Sequence, residues 1–212
     1  MGNNIATSQN NSVHGDDSLI TLAVDNTTNI DAVMDGVTDH GGAEASNAVK
    51  ERLKSIQPST SGDIQNLLTE LNSEFFQVGG GRFLLTTASI VVSTPSQLSL
   101  VAIGDSPVYV IREGEFAQLS GRIGGLLRLT ASSAIGGQES LTFQTFDATI
   151  TAGDKLLIVS DGISDNLELD EIKKLMSDSK NPQELCEILE STSAQRTERG
   201  GTPSSMRGRL RK

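Results

Sequence analysis

Three apolar runs in this chain each end in an aspartate beside a glycine. "IDAVMDGV" ends in Asp35-Gly36, "SLVAIGDS" in Gly104-Asp105, and "LLIVSDG" in Asp161-Gly162. Asp165 follows Asp161 by four residues, and Asp16 and Asp17 stand just ahead of the first apolar run. If these strand ends converge, several carboxylates share one small volume, and like charges that close cannot all stay ionised without a cation. A donor set made only of oxygen suits hard ions such as Mg²⁺ or Mn²⁺. Glycine lets the backbone come close, so the Gly36 carbonyl is a further candidate ligand. Asp and Gly are also ordinary turn residues. Spacing alone therefore leaves two readings open, a metal site or a set of turns.

The elements that must position these residues follow from hydrophobic period. Residues 18–25 and 30–35 read as a hairpin of two strands. Residues 41–56 and 61–76 read as helices, the second with a stripe of Ile64, Leu67, Leu68, Leu71 and Phe75. The period then changes, and 82–93, 97–105, 107–120, 141–150 and 154–161 read as strands, with a turn at 112–115 in which Gly114 takes positive φ. Two helices close the pattern, 169–178 and 182–191, the latter with Asn181 as N-cap and Pro182 at its first position. Successive strands with short turns predict antiparallel pairing. Several strands are apolar throughout, which predicts stacked sheets covered by helices. Residues 1–192 are expected to form one domain and 193–212 a flexible basic tail.

Composition narrows the classes. The chain has 212 residues and a formal net charge of −10. Six basic residues and one acid lie in 196–212, so residues 1–195 hold 11 bases against 26 acids, a net of −15. An acidic body repels nucleic acid and gathers cations. Cys186 is the single cysteine, so no intrachain disulfide forms, which suits a cytoplasmic protein. The polar N-terminus lacks a signal-peptide core, and no apolar run approaches the ~20 residues of a membrane span. The expectation is a monomer that binds neither nucleic acid nor membrane.

The same stretches resemble the metal-dependent serine/threonine protein phosphatases of type 2C. The resemblance is carried by "HGDDSLITL" (14–22), "DAVMDGVTDHGGAEAS" (31–46), "GGGRFLLTTASI" (79–90), "LVAIGDSPVYVIREGEFAQLS" (100–120), "AIGG" (134–137) and "GDKLLIVSDGISDNLELDEI" (153–172). It spans about residues 12–192. It implies an α+β fold, a four-layer α-β-β-α sandwich of two stacked antiparallel sheets flanked by helix pairs. It also implies two Mg²⁺ or Mn²⁺ ions, with a third looser one, and hydrolysis of phosphoserine and phosphothreonine in phosphoproteins by a metal-activated water. Carried over by position, Asp35 bridges two ions with the Gly36 carbonyl beside it. Asp161 holds the second ion, and Asp16 and Asp17 match the family's opening acidic pair. Asp105, Asp161 and Asp165 match the trio around the third ion.

The sequence departs from the family in four places. Its closing strand with an Asp-Asn ligand has no counterpart before Lys212, so one ligand and one core strand are expected to be lacking. The loop after Gly36 is longer than usual, and His40 is the nearest counterpart of the histidine at the leaving group. Pro107 replaces the usual arginine after "GDS". The phosphate-binding arginine near the N-terminus has no match, and His14 is the one cationic candidate there. Two functions follow: a phosphoprotein phosphatase, or a catalytically weak or inactive binding or regulatory module on the same fold.

Overall fold

The computed structural model describes residues 5–9, 16–121 and 134–198. The expected N-terminal hairpin forms as β1 (Ser18–Ala23) and β2 (Asn29–Met34), closed by Asp25. The Asp25 carboxylate accepts from the Thr27 and Thr28 amides and the Thr27 hydroxyl, which satisfies the turn locally. Two helices follow, α1 (Gly42–Ile56) and α2 (Ser61–Gly79). A capping box between Thr60 and Asp63 starts α2, and its whole predicted stripe, Ile64 to Phe75, is buried. The strands β3 (Ala88–Ser93), β4 (Gln97–Ile103), β5 (Val108–Arg112), β6 (Glu115–Gln118), β7 (Gln144–Thr149) and β8 (Lys155–Ile158) come next. Glu113 and Gly114, both at positive φ, make the two-residue turn between β5 and β6.

Two antiparallel sheets result, one ordered β1-β2-β3-β4-β7 and one ordered β6-β5-β8. Alternation along each strand sends side chains to opposite layers. From β3, Ile90 and Val92 join Ile30, Met34, Val49, Leu68 and Leu71 in a core beneath α1 and α2. Val91 points the other way, to Leu98, Leu100 and Val108 between the sheets. On the far side of the second sheet, Tyr109, Ile111, Leu157 and Val159 pack against Ile172, Met176, Leu185 and Leu189 of the last helices. These three cores separate four layers, α-β-β-α. Each buried Leu or Ile contributes about 1.5–3 kcal/mol.

Three boundaries differ most from the sequence reading. Residues 82–87 are not strand: Gly80, Gly81 and Leu84 take positive φ and fold the chain into a loop, leaving only a bridge from Thr86 to Gly36 and Ile135. Asp161 does not end a strand but opens a four-residue helix, α3 (Asp161–Ser164). Helix α4 (Leu169–Asp178) matches its prediction, whereas α5 runs Pro182–Glu198. The expected flexible tail from 193 is corrected for its first six residues, which are helical. Apolar periodicity stops at Leu189, but Ser193 Oγ donates to the Gly162 carbonyl at 2.5 Å and Arg196 forks onto Glu171 at 2.6 and 2.9 Å. Polar contacts hold those turns. Among the described residues no helix is long and apolar enough to cross a membrane.

Candidate active site

Asp35 leaves β2 at the layer boundary, and its backbone is pinned on both sides. Its carbonyl accepts from Thr87 N at 2.8 Å and Thr86 Oγ1 at 2.9 Å, and its N–H donates to Thr87 Oγ1 at 3.2 Å. Gly36 follows because nothing larger fits. A Cβ there would stand 2.4 Å from the Asp16 carbonyl and 2.5 Å from the Gly42 backbone. The same approach brings Asp16 and Asp17 over the start of α1, where Ser46 Oγ donates to the Asp16 carbonyl at 2.7 Å.

The carboxyls of Asp17, Asp35 and Asp161 meet at this point. Asp35 and Asp161 share a side-chain hydrogen bond, and the Asp161 N–H donates to the Asp35 carboxyl. Asp17 is hydrogen-bonded to Asp35, to the Ser160 hydroxyl and to the Gly36 N–H. Burial, then the charges of Asp161 and Asp17, push the Asp35 pKa up to about 9. Burial also raises Asp17, with Asp16 adding repulsion. A carboxyl that keeps its proton well above its ordinary range sits where positive charge is missing.

All three line one cavity of about 2350 Å³, together with Asp16, Gly36, Asp105 and His40. The cavity continues along Leu19, Thr21, Asp31 and Val33, which face the interlayer side of β1 and β2, and past β8, which pairs with β5 alone among the described residues. His40 Nδ1 lies 2.6 Å from the Arg82 carbonyl, so Nδ1 carries the proton and donates. Asp165 is placed differently. It caps α3, its N–H donating to the Asp161 carbonyl at 2.8 Å, and it is not among the cavity-lining residues. Its charge acts instead on Tyr109, whose phenol is raised to about 12, mainly by burial. His14 lies outside the described residues.

Carboxylates and a hydroxyl suit a hard divalent ion. As the side chains stand they share protons with one another, and among the described residues no three His, Cys, Asp or Glu side chains enclose a ready coordination point. A bound ion would take the place of those protons. The sequence reading missed Ser160 and the threonine clamp on Asp35. Ser160 has a signal in hindsight, since it directly precedes Asp161 at the same strand exit.

A family model for stage II sporulation protein E (SpoIIE) matches residues 29–202, which include every one of these residues except Asp16 and Asp17. The chain belongs to the SpoIIE family. No curated protein matches the chain. Solved structures do. The serine/threonine phosphatase PstP/Ppp of Mycobacterium tuberculosis is 22% identical with a TM-score of 0.70, over 91% of this chain and 88% of that one. Stp1, the serine/threonine phosphatase of Staphylococcus aureus, is 17% identical with a TM-score of 0.74, over 90% and 87%. PppA, a regulatory component of T6SS in Pseudomonas aeruginosa, is 22% identical with a TM-score of 0.72, over 86% and 85%. The SpoIIE-family chain thus has the phosphatase-like α+β fold of the type 2C group.

Proposed function

We propose that the chain hydrolyses phosphoserine and phosphothreonine in proteins, with Mg²⁺ or Mn²⁺ held by Asp17, Asp35 and Asp161. The observation that carries this reading is the contact of the Asp17 and Asp161 carboxyls with that of Asp35, from separate chain segments, on the wall of an open cavity. Divalent ions bound there would neutralise phosphoryl oxygens and lower the pKa of water. The protein's own part is positioning. The Gly36 N–H and Ser160 hydroxyl orient Asp17, the Asp161 N–H orients Asp35, and Thr86 and Thr87 fix the Asp35 backbone. Asp16, Asp105 and the Gly36 carbonyl are further donors within the same cavity, with Asp165 at the end of α3 as an additional candidate. His40, with Nδ1 committed to a carbonyl, keeps Nε2 for other hydrogen bonds.

The test is Mn²⁺-dependent hydrolysis of an aryl phosphate by the chain beside its Asp161→Asn variant. The expected result is activity that needs the metal and is lost in the variant. Equal rates with and without Asp161 would sink the proposal.

One observation favours a second reading, a non-catalytic binding module. Among the described residues no three His, Cys, Asp or Glu side chains are spaced around one coordination point. Calorimetric titration with Mn²⁺ separates the two, because tight binding speaks for the hydrolase and its absence in a folded protein for the module.

A further inference from the structure

The acidic cluster poses a problem of charge that its own residues do not solve. A phosphomonoester dianion must approach Asp16, Asp17, Asp35, Asp105 and Asp161, and the described cavity wall offers three basic side chains: Arg82, Lys155 and Lys180. Lys155 is committed, its Nζ donating to the carbonyls of Met176, Ser177 and Ser179 at 2.8, 3.2 and 2.6 Å. Lys180 stands just ahead of α5, whereas the active-site residue Gly162 contacts the same helix at Ser193. At 1.5 Å rise per residue the two points are roughly 18 Å apart along the helix.

Arg82 remains. Its side chain is exposed and makes no ion pair or hydrogen bond with the described residues. The loop that carries it is fastened rung by rung to the loop that carries Asp35 and Gly36. Thr87 N donates to the Asp35 carbonyl at 2.8 Å, Val37 N to Leu85 O at 2.9 Å, and Leu85 N to His40 O at 3.2 Å. His40 Nδ1 donates to the Arg82 carbonyl itself at 2.6 Å. The Phe83 ring sits where a Cβ on Gly41 would come within 2.8 Å, so the two loops are also in packing contact. Leu84 takes φ +58, a cost that a bulky residue bears where the surroundings demand that turn. The Arg82 backbone is thus fixed against the loop of Asp35 and Gly36, and its guanidinium, on the wall of the same cavity, is available to an anion. Its planar fork matches two phosphoryl oxygens at once, which a lysine does not reproduce.

We infer that Arg82 is the phosphate anchor of this site, binding the phosphoryl group of the substrate directly. The inference rests on the hydrolase reading above for its substrate class, and its test has a readout that does not need turnover. Binding of inorganic phosphate to the Mn²⁺-loaded chain is measured by calorimetry for the parent, Arg82→Ala, Arg82→Lys and the control Lys180→Ala, with KM and kcat for an aryl phosphate alongside. Arg82→Ala is expected to weaken phosphate binding by about tenfold or more and to raise KM by a similar factor, with kcat within a few-fold. Arg82→Lys recovers part of the loss, Lys180→Ala changes nothing, and the Mn²⁺ affinity is the same in all four. Phosphate binding that is equal in the parent and Arg82→Ala, or absent from the parent, overturns the anchor. A parent that turns over with KM insensitive to Arg82 removes the anchor and leaves the hydrolase. Phosphate binding that depends on Arg82 without any turnover keeps the anchor and removes the hydrolase.

Discussion

Replacing Asp35 with Asn is expected to make the metal-free protein more stable while destroying its capacity for metal. The Asp35 carboxyl is pushed from 3.8 up to about 9, chiefly by burial. At pH 7.5 the unfolded chain releases that proton and the folded chain retains it. The sign follows directly: the folded state binds more protons between about 4 and about 9, so this group's contribution falls as pH rises through that window. At 1.36 kcal/mol per pH unit, the ceiling at pH 7.5 is about 5 kcal/mol. Relaxation and water penetration at a site open to a cavity reduce that ceiling to ~2 kcal/mol. An Asn amide fills the same space and donates to the same carboxylates. For a chain of this size ~2 kcal/mol is a rise in Tm of about 4–8 °C. Differential scanning calorimetry in EDTA from pH 5 to pH 8.5 reads it, with the gap between variant and parent widening as pH rises. Added Mn²⁺ should then raise the Tm of the parent and leave the variant unmoved. A variant no more stable than the parent at pH 8, or a gap that does not shrink toward pH 5, refutes the reasoning.

Three further outcomes follow from the geometry. Gly36→Ala places a Cβ 2.4 Å from the Asp16 carbonyl, so the start of α1 and the acidic loop must separate; a loss of several kcal/mol in urea unfolding, together with lost Mn²⁺ binding, is expected. Thr60→Ala removes the capping box of α2 and should cost about 1 kcal/mol with activity unchanged. Arg196→Ala cuts the fork onto Glu171 and the bond to the Asn166 carbonyl; hydrogen exchange should accelerate in the last two turns of α5, with global stability lower by at most about 1 kcal/mol because the pair is partly exposed.

The helices and strands were legible where burial follows a simple period. The stripe of α2 and the limits of α4 stand as read, because their apolar residues face one core. Asp35 and Asp161 were legible because a carboxylate directly after an apolar strand is a local signal. The contact of Asp35 with Asp17 and Asp161 had no local signal, since it is made by packing across distant segments. The loop at 82–87 was misread because Leu84, Leu85, Thr86 and Thr87 have strand composition, while the preceding glycines and the φ of Leu84 decide otherwise. The end of α5 was missed because hydrogen bonds to Gly162 and Glu171, not an apolar face, hold it. Helix α3 is four residues long and has no period to read.

The most direct test of the central claim is phosphate release from a phosphothreonine peptide as Mn²⁺ is titrated, in the parent chain and in Asp161→Asn. The account predicts a rate that rises to saturation with Mn²⁺ in the parent and stays at background in the variant. A parent that binds Mn²⁺ and never releases phosphate, or a variant as active as the parent, contradicts it.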